Sequence, residues 1–197
     1  MKSLLNDQPF VFSENNLPCL VSYGDKIGGS HFSVVLLADL FASGSKILFL
    51  TAYPMATDNF LSQVGELGLS IARVESDNNL SENKDAQAIM IKSGDEELFM
   101  KAVELLDDVE QRVIFVKNIE GLKSGTIRRC LEFDKVILSG DIDKCDLGGE
   151  IIQKHFNTTV LFNQPKVTMG FKVPELERYS GYMWSNQLEG VVRTEMG

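Results

Sequence analysis

The sequence predicts an α/β domain with a mostly parallel central sheet, helices on both faces of that sheet and a β-hairpin at the C-terminal end. Three observations lead to this fold class. Short continuous apolar runs recur along the chain, as in strands that are buried on both faces. Segments of helix length with apolar residues near helical spacing separate these runs. Right-handed crossovers between parallel strands then place helices on both sides of the sheet.

The elements follow one another in regular alternation. Apolar runs predict parallel strands at residues 18–23, 46–51, 70–74, 88–91, 112–116, 135–138 and 158–162. Helices are predicted at residues 31–41, 57–67, 95–106, 125–131 and 147–156. The polar stretch 77–85 is predicted to be a loop. Two further runs, 181–184 and 190–193, predict a terminal hairpin that turns at Asn186 and Gln187.

Length and composition indicate one globular domain. The chain has 197 residues, of which 44% are hydrophobic and 24% charged, so disordered, collagen-like and coiled-coil classes are excluded. We expect an N-terminal extension at residues 1–17 and the α/β domain at residues 18–197. The net charge of −9 disfavours a stand-alone nucleic-acid-binding protein, which requires a basic surface, and leaves such binding only as part of a complex.

The spacing of the cysteines and the length of the apolar runs indicate the cellular compartment. Cys19, Cys130 and Cys145 are far apart, odd in number and without a CxxC pair, which predicts neither a disulfide framework nor a zinc site. The runs are shorter than the roughly 18 residues of a membrane span, and the first residues lack a signal-peptide core. We therefore expect a cytoplasmic protein without a membrane partner.

The first strand, the glycine-rich loop after it and the next helix form the most informative unit. This arrangement aims backbone N–H groups and a helix N-terminus at one point, which suits a phosphate group. Gly24 and Gly29 have the G-x-x-x-x-G spacing of a phosphate loop. If a nucleotide such as ATP or ADP binds, the candidate residues of this degenerate loop are Gly24, Lys26, Gly28, Gly29, Ser30 and His31.

At this point the chain resembles the RecA-like P-loop ATPases, most closely their KaiC-like branch. The matching segments are 20–24 with Gly29 for the first strand and loop, 43–51 for the second strand, 59–68 for the helix after it, 112–116 for the Walker B strand and 135–139 for the sensor strand. The resemblance covers roughly residues 18–195 and rests on element order and short local matches. It implies a single RecA-like domain.

The motifs that carry the family's activity depart from its pattern. Ser30 and His31 stand where the family has the lysine that contacts phosphates and the hydroxyl that holds magnesium. Lys117 and Asn118 follow the Walker B strand in place of acidic residues. The second strand leads to Ala52, Tyr53 and Pro54, without the family's catalytic glutamate. Phosphoryl transfer depends on such charged groups, so we expect a pseudo-ATPase with no catalytic or metal-binding residues.

The resemblance implies a function based on assembly. Proteins of this fold stack head to tail, and some relatives, including the Elongator ring subunits, keep the fold without phosphate-loop signatures. A scaffold or regulatory subunit that assembles with itself or with RecA-like partners is the leading hypothesis, with no cofactor expected. We expect Lys117, Arg128 and Arg129 to be exposed and to form a local positive patch.

Two alternatives remain open. The first is a nucleotide-binding protein or ATPase with an atypical loop, in which Lys26 or a neighbouring subunit's arginine supplies the positive charge. In that case Asp141 and Asp143 are the carboxylates that could hold a metal. The second is an unrelated α/β protein that binds a small ligand at the carboxyl ends of its strands, near Tyr53 or Asp141. Cys130 is expected to be a buried thiol and not a nucleophile.

Overall fold

The computed structural model describes residues 2–24, 28–66, 68–106, 109–166, 169, 171–177, 179–185 and 188–195. The strands are β1 (Lys2–Leu5), β2 (Gln8–Phe10), β3 (Cys19–Ser22), β4 (Ile47–Thr51), β5 (Ala72–Val74), β6 (Ala88–Ile91), β7 (Val113–Lys117), β8 (Val136–Gly140), β9 (Thr158–Leu161), β10 (Ser180–Ser185) and β11 (Glu189–Glu195). The α-helices are α1 (Gly29–Ala42), α2 (Pro54–Glu66), α3 (Asp77–Asn83), α4 (Glu96–Leu105), α5 (Ser124–Cys130) and α6 (Gly149–His155).

All of these strands belong to one sheet. Its order is β2-β1-β11-β10-β9-β3-β8-β7-β4-β6-β5. Neighbouring strands from β9 to β5 pair in parallel, whereas β2, β1, β11 and β10 continue the sheet in antiparallel fashion. The predicted α/β class, the mostly parallel sheet and the C-terminal hairpin are confirmed. The predicted turn residues Asn186 and Gln187 lie outside the described residues.

Residues 2–10 contribute two strands to the same sheet as the parallel strands. β1 pairs with β11, with Ser3 opposite Thr194 and Leu4 opposite Arg193. β2 folds back on β1 and forms the outer edge. The chain thus brings its first and last strands together, and the short mixed pattern of residues 2–10 gives no local sign of this long-range pairing.

Helices cover both faces of the sheet, as the sequence predicts. Ile47 and Phe49 of β4 point toward α1 and α2, where Phe49 stacks on Phe60 with ring centroids 5.1 Å apart. Leu48 and Leu50 alternate with them and pack on the opposite face, which α3, α4, α5 and α6 cover. Among the described helices, none combines the length and apolar character needed to cross a membrane.

The predicted loop at residues 77–85 is wrong, because its first seven residues form helix α3. Ser76 caps the helix by accepting a hydrogen bond from the backbone N–H of Asn79. Leu80 is the one apolar residue of this helix and is buried against the sheet. A single apolar residue shows no periodicity, so the capping serine was the only available signal.

The carboxyl ends of the parallel strands meet along one side of the sheet, called here the carboxyl edge. The chain leaves β3 and β4 toward the face of α1 and α2, whereas it leaves β7 and β8 toward the face of α5 and α6. Because β3 lies beside β8 and β4 beside β7, adjacent loops diverge at both places. Such divergence opens the crevices in which α/β proteins commonly bind ligands.

Candidate functional site

Lys117, the last residue of β7, lies buried at the carboxyl edge. Val113 and Phe115 of the same strand pack against α1 and α2, and the alternation of side chains turns Lys117 to that face as well. The side chain is 2% exposed. Its Nζ donates hydrogen bonds to Tyr23 Oη at 2.6 Å and to Ser30 Oγ at 3.0 Å. The ammonium group thus links the end of β7 to the start of α1.

Tyr23 covers the space between β3 and α1. Its backbone N–H donates to the carbonyl of Gly140 at 3.0 Å, which extends the pairing of β3 and β8 by one residue. Its ring lies directly against Gly29, where a Cβ would overlap the ring atoms, so this position requires glycine. The Lys117 Nζ lies 4.9 Å from the centre of the Tyr23 ring and 5.3 Å from that of Phe60.

Buried hydroxyl groups continue this network toward β8. Ser139 Oγ lies 3.4 Å from Tyr23 Oη and 3.0 Å from Ser33 Oγ. Ser33 Oγ donates to the carbonyl of Gly29 at 2.8 Å. We call Tyr23, Ser30, Ser33, Lys117 and Ser139 the Lys117 cluster. Its polar side chains connect β7, β8 and α1 with Tyr23, the residue that follows β3.

Burial changes the acid–base behaviour of this cluster. Removal from water lowers the pKa of Lys117 to about 8, and the nearby carboxylate of Glu120 opposes this shift. Burial also raises the pKa of the Tyr23 phenol, with Ser139 acting in the opposite direction and Glu120 in the same one. Tyr23 therefore stays neutral at physiological pH, while Lys117 titrates close to it.

The glycines of the predicted phosphate loop have structural roles. Gly28 is the N-cap of α1 with φ of +135°, and a Cβ there would lie 3.0 Å from the Phe162 ring. The backbone N–H of Gly24 donates to Asn163 Oδ1 at 3.3 Å. His31 lies in the first turn of α1 with its Nδ1 buried and without a hydrogen-bond partner in the described part of the chain. Lys26 lies outside the described residues.

The prediction of an exposed positive patch is wrong for Lys117. Lys117 is not exposed, because the alternation along β7 turns it inward. Arg128 and Arg129 are solvent-accessible, but each contacts a carboxylate. Arg128 lies 3.3 Å from Asp146, and Arg129 pairs with Glu132 one turn further along the chain.

The predicted alternative metal ligands are engaged in a turn. Asp141 accepts a hydrogen bond from the backbone N–H of Asp143 at 3.1 Å and pairs with Lys144 at 3.0 Å. Asp143 accepts from the backbone N–H of Lys166 at 2.7 Å. Within the described ranges no three His, Cys, Asp or Glu residues are grouped as metal ligands.

Two other predicted residues behave as ordinary parts of the fold or of its surface. Cys130 is buried, and desolvation raises the pKa of its thiol to about 12, which agrees with the predicted inert thiol. Tyr53 is 44% exposed at the carboxyl edge, and its ring lies against Gly121.

The donor set at the carboxyl edge does not fit a magnesium nucleotide. Magnesium prefers oxygen ligands, whereas β7 ends in the amine of Lys117. Ser30 accepts a hydrogen bond from that amine. Around Lys117, the edge instead places a buried amine among hydroxyl groups and aromatic rings.

Sequence reasoning identified Ser30 and Lys117 separately but missed their contact. The alternation of Val113, Phe115 and Lys117 is the signal that would have turned Lys117 inward. Ser33 and Ser139 carry no such signal, because their contact depends on the packing of α1 across β8.

Comparisons with known proteins do not identify a family. No family model matches the sequence, and no curated protein matches it significantly. A functional conclusion therefore depends on the chemistry of the carboxyl edge.

Proposed function

We propose that this chain is a catalytically inactive protein of the RecA/KaiC-like P-loop fold. It acts as a scaffold or regulatory subunit that assembles with itself or with other RecA-like subunits in the cytoplasm. The observation that carries the proposal is the hydrogen bond from Lys117 to Ser30, which joins two positions at which an ATPase of this fold would hold phosphate and magnesium. Nucleic acid is contacted only through a complex.

The position and sign of the Lys117 charge support the loss of ATPase activity. An ammonium group at the end of β7 repels a divalent cation at the place where the family's Walker B acid would bind it. The Tyr23 ring lies against the Cα of Gly29, so a phosphate group placed beside Gly29 would meet that ring. Binding would also cost the hydrogen bonds of Lys117 to two hydroxyl groups.

The end of β4 supports the same conclusion. Thr51 donates its hydroxyl proton to Asn118 Oδ1 at 3.1 Å, and Ala52 and Tyr53 follow it. Neither Thr51, Ala52 nor Tyr53 has a carboxylate that would activate a water molecule. The edge therefore lacks a general base where the family carries one.

The two outer strands of the sheet favour assembly through helices and loops. β2 contains Pro9, which has no N–H to donate to an added strand. β5 has three residues, and Arg73 at its centre is exposed. Short edges that carry proline or charge resist strand addition. Head-to-tail contacts between different surfaces of neighbouring subunits are compatible with such edges and close into rings.

Nucleotide binding by the full chain tests the proposal. We expect ATP and ADP, with or without magnesium, to leave the melting temperature unchanged. A ligand that binds the native state at one hundred times its Kd would stabilise it by about 2.7 kcal/mol, which is several degrees for a chain of this size. A magnesium-dependent increase of that order would contradict the proposal.

A charge-swapped variant provides the matched control. Ser30→Lys combined with Lys117→Asp puts a cation at the start of α1 and a carboxylate at the end of β7. We expect this variant to gain magnesium-dependent stabilisation by nucleotide, because it restores the charge pattern of a phosphate loop and a Walker B strand.

The solution mass tests the assembly part of the proposal. Light scattering is expected to give a multiple of the 21.9 kDa chain mass that does not change when nucleotide is added. A monomer at all concentrations would rule out self-assembly and leave assembly with a different RecA-like subunit. An oligomer that forms only with nucleotide would contradict a nucleotide-independent scaffold.

A further inference from the structure

The contact between Ser30 and Lys117 has a chemical consequence beyond assembly. Ser30 Oγ lies 3.0 Å from Lys117 Nζ, and Tyr23 Oη holds the same nitrogen at 2.6 Å. A hydroxyl within hydrogen-bond reach of a base, with the base oriented by a third group, is the arrangement of an activated nucleophile. The three residues come from α1, β7 and the end of β3, so packing of the sheet fixes their geometry.

The surroundings of Lys117 favour a neutral amine that accepts a proton. The side chain is 2% exposed and faces the rings of Tyr23 and Phe60. Desolvation lowers the pKa of Lys117 to about 8, so about half of the amine is neutral at that pH. Ser30 itself is only half-buried, so part of this residue is accessible to solvent.

The start of α1 adds donors for a developing negative charge. The backbone N–H of Phe32 donates to the carbonyl of Gly28, so the amides of Ser30 and His31 come before the helical hydrogen-bond ladder. α1 has 14 residues, and its dipole favours negative charge at this end. Amides in this position stabilise the oxyanion that forms when a serine attacks a carbonyl group.

We propose that Ser30 is a nucleophilic modification site, activated by Lys117, that takes one acyl group per chain from small activated esters or thioesters. The neutral Lys117 amine removes the proton from Ser30 Oγ, which forms a bond to the carbonyl carbon. The bond from that carbon to the leaving oxygen or sulfur then breaks. The leaving group takes the proton from the Lys117 ammonium, so the products are an acyl-serine and a free alcohol or thiol.

This inference goes beyond the proposed function and does not depend on it. A covalently acylated scaffold remains a non-ATPase, and the modification replaces the Ser30 hydroxyl proton with a group too large for its present contact with Lys117. Nucleotide binding tests the proposed scaffold function, and acylation tests the reactivity of Ser30. Either proposal can therefore fail while the other holds.

Other charged groups around Lys117 determine the pH dependence of the reaction. Tyr23 faces it from the end of β3, and Glu120 faces it from the turn after β7. Ser30 of α1 and Phe60 of α2 also contact it, and neither carries a carboxylate, an amine or an imidazole. Because Tyr23 remains neutral, the acylation rate is expected to rise with pH as Lys117 loses its proton, with a midpoint near 8.

The experiment uses p-nitrophenyl acetate and the full chain. We expect intact mass spectrometry to show one rapidly added acetyl group, which peptide mapping assigns to Ser30 and which hydroxylamine removes as an ester. Ser30→Ala and Lys117→Met are each expected to slow this step by about 100-fold or more, the usual contribution of general-base catalysis. Lys117→Arg keeps the charge and is expected to be equally slow.

Ser124 provides a matched control. It is the first residue of α5 and follows Lys123, but both residues are exposed, and within the described part of the chain no buried amine contacts them. Ser124→Ala is expected to leave the rapid acetylation unchanged, and melting curves show whether each variant is folded. An acetyl group on Lys117 in place of Ser30, a rate in Ser30→Ala within twofold of the original, or a rate independent of pH between 7 and 9 would each overturn the proposal.

Discussion

Strand β7 has a buried cation at each end, and the two differ in what they contact. Arg112 precedes the strand and is 1% exposed, and its guanidinium donates to the backbone carbonyls of Lys84 and Ala86. Lys117 ends the strand and is 2% exposed, but its partners are the side-chain hydroxyls of Tyr23 and Ser30. Arg112 thus holds backbone carbonyl groups in place, whereas Lys117 contacts side-chain hydroxyl groups.

The difference follows from the chemistry of the two side chains. A guanidinium stays charged at every accessible pH and presents several donors, so it suits a permanent link to carbonyl oxygens. An ammonium group loses its proton when it is desolvated, and it then becomes a base. The amino end of β7 is therefore a structural anchor, whereas the carboxyl end retains chemical reactivity.

Removal of the anchor is expected to have the largest effect on stability. Arg112→Met eliminates the charged hydrogen bonds to two carbonyl groups, which link β7 to the segment after α3. We expect a loss of about 2 to 3 kcal/mol in the free energy of unfolding, measured by urea denaturation. Arg73→Met on the exposed edge strand is the control and is expected to change stability by less than about 0.5 kcal/mol. Equal effects of the two substitutions would remove the distinction between anchor and surface residue.

The pH dependence of stability is expected to show a smaller effect, which comes from Lys117. The pKa of Lys117 is about 8 in the folded chain, below its value in the unfolded chain, so the unfolded state holds more protons between these values. Stability therefore rises as the pH increases from about 8 toward 10. Relative to Lys117→Met, the original chain is expected to gain about 2 kcal/mol between pH 7.5 and 9.5. A difference that stays constant would mean that Lys117 is not desolvated.

Substitution of Lys117 itself is expected to have the smallest effect. Lys117→Met removes the desolvation penalty of a buried charge together with its two hydrogen bonds, and these changes nearly cancel. At pH 7.5 we expect urea denaturation to show that the free energy of unfolding changes by less than about 1 kcal/mol. A loss as large as that of Arg112→Met would make Lys117 a second anchor.

The sequence predicts the parallel part of the fold well, because that part is locally encoded. Runs such as Ile47–Thr51 are buried on both faces and cannot be mistaken for surface segments. Helix α3 was missed because Leu80 is its one apolar residue. Strands β1 and β2 are absent from the sequence prediction because β1 pairs with β11, almost the whole chain away, and β2 pairs in turn with β1.

The candidate site is predictable only in part. Under the P-loop resemblance, the residue types at positions 30 and 117 differ from the lysine and the acid that bind phosphate and magnesium. Their mutual contact depends on the alternation along β7 and on the position of α1 over β8, which no short motif encodes. The prediction that Lys117 is exposed is wrong. A charged residue at a strand end is usually solvated. Here β7 extends to Lys117, and the alternation along the strand turns this side chain toward the interior.

The protonation state of Lys117 is the most direct test of both proposals, since each depends on the position of Lys117 beside Ser30. NMR titration of the lysine side-chain 13Cε signals measures it in the intact chain. We expect one signal, absent in Lys117→Met, to titrate with a midpoint near 8 and to keep that midpoint when ATP and magnesium are added. If every lysine titrates near 10.4, Lys117 is solvated and the carboxyl edge is open, which would contradict the account.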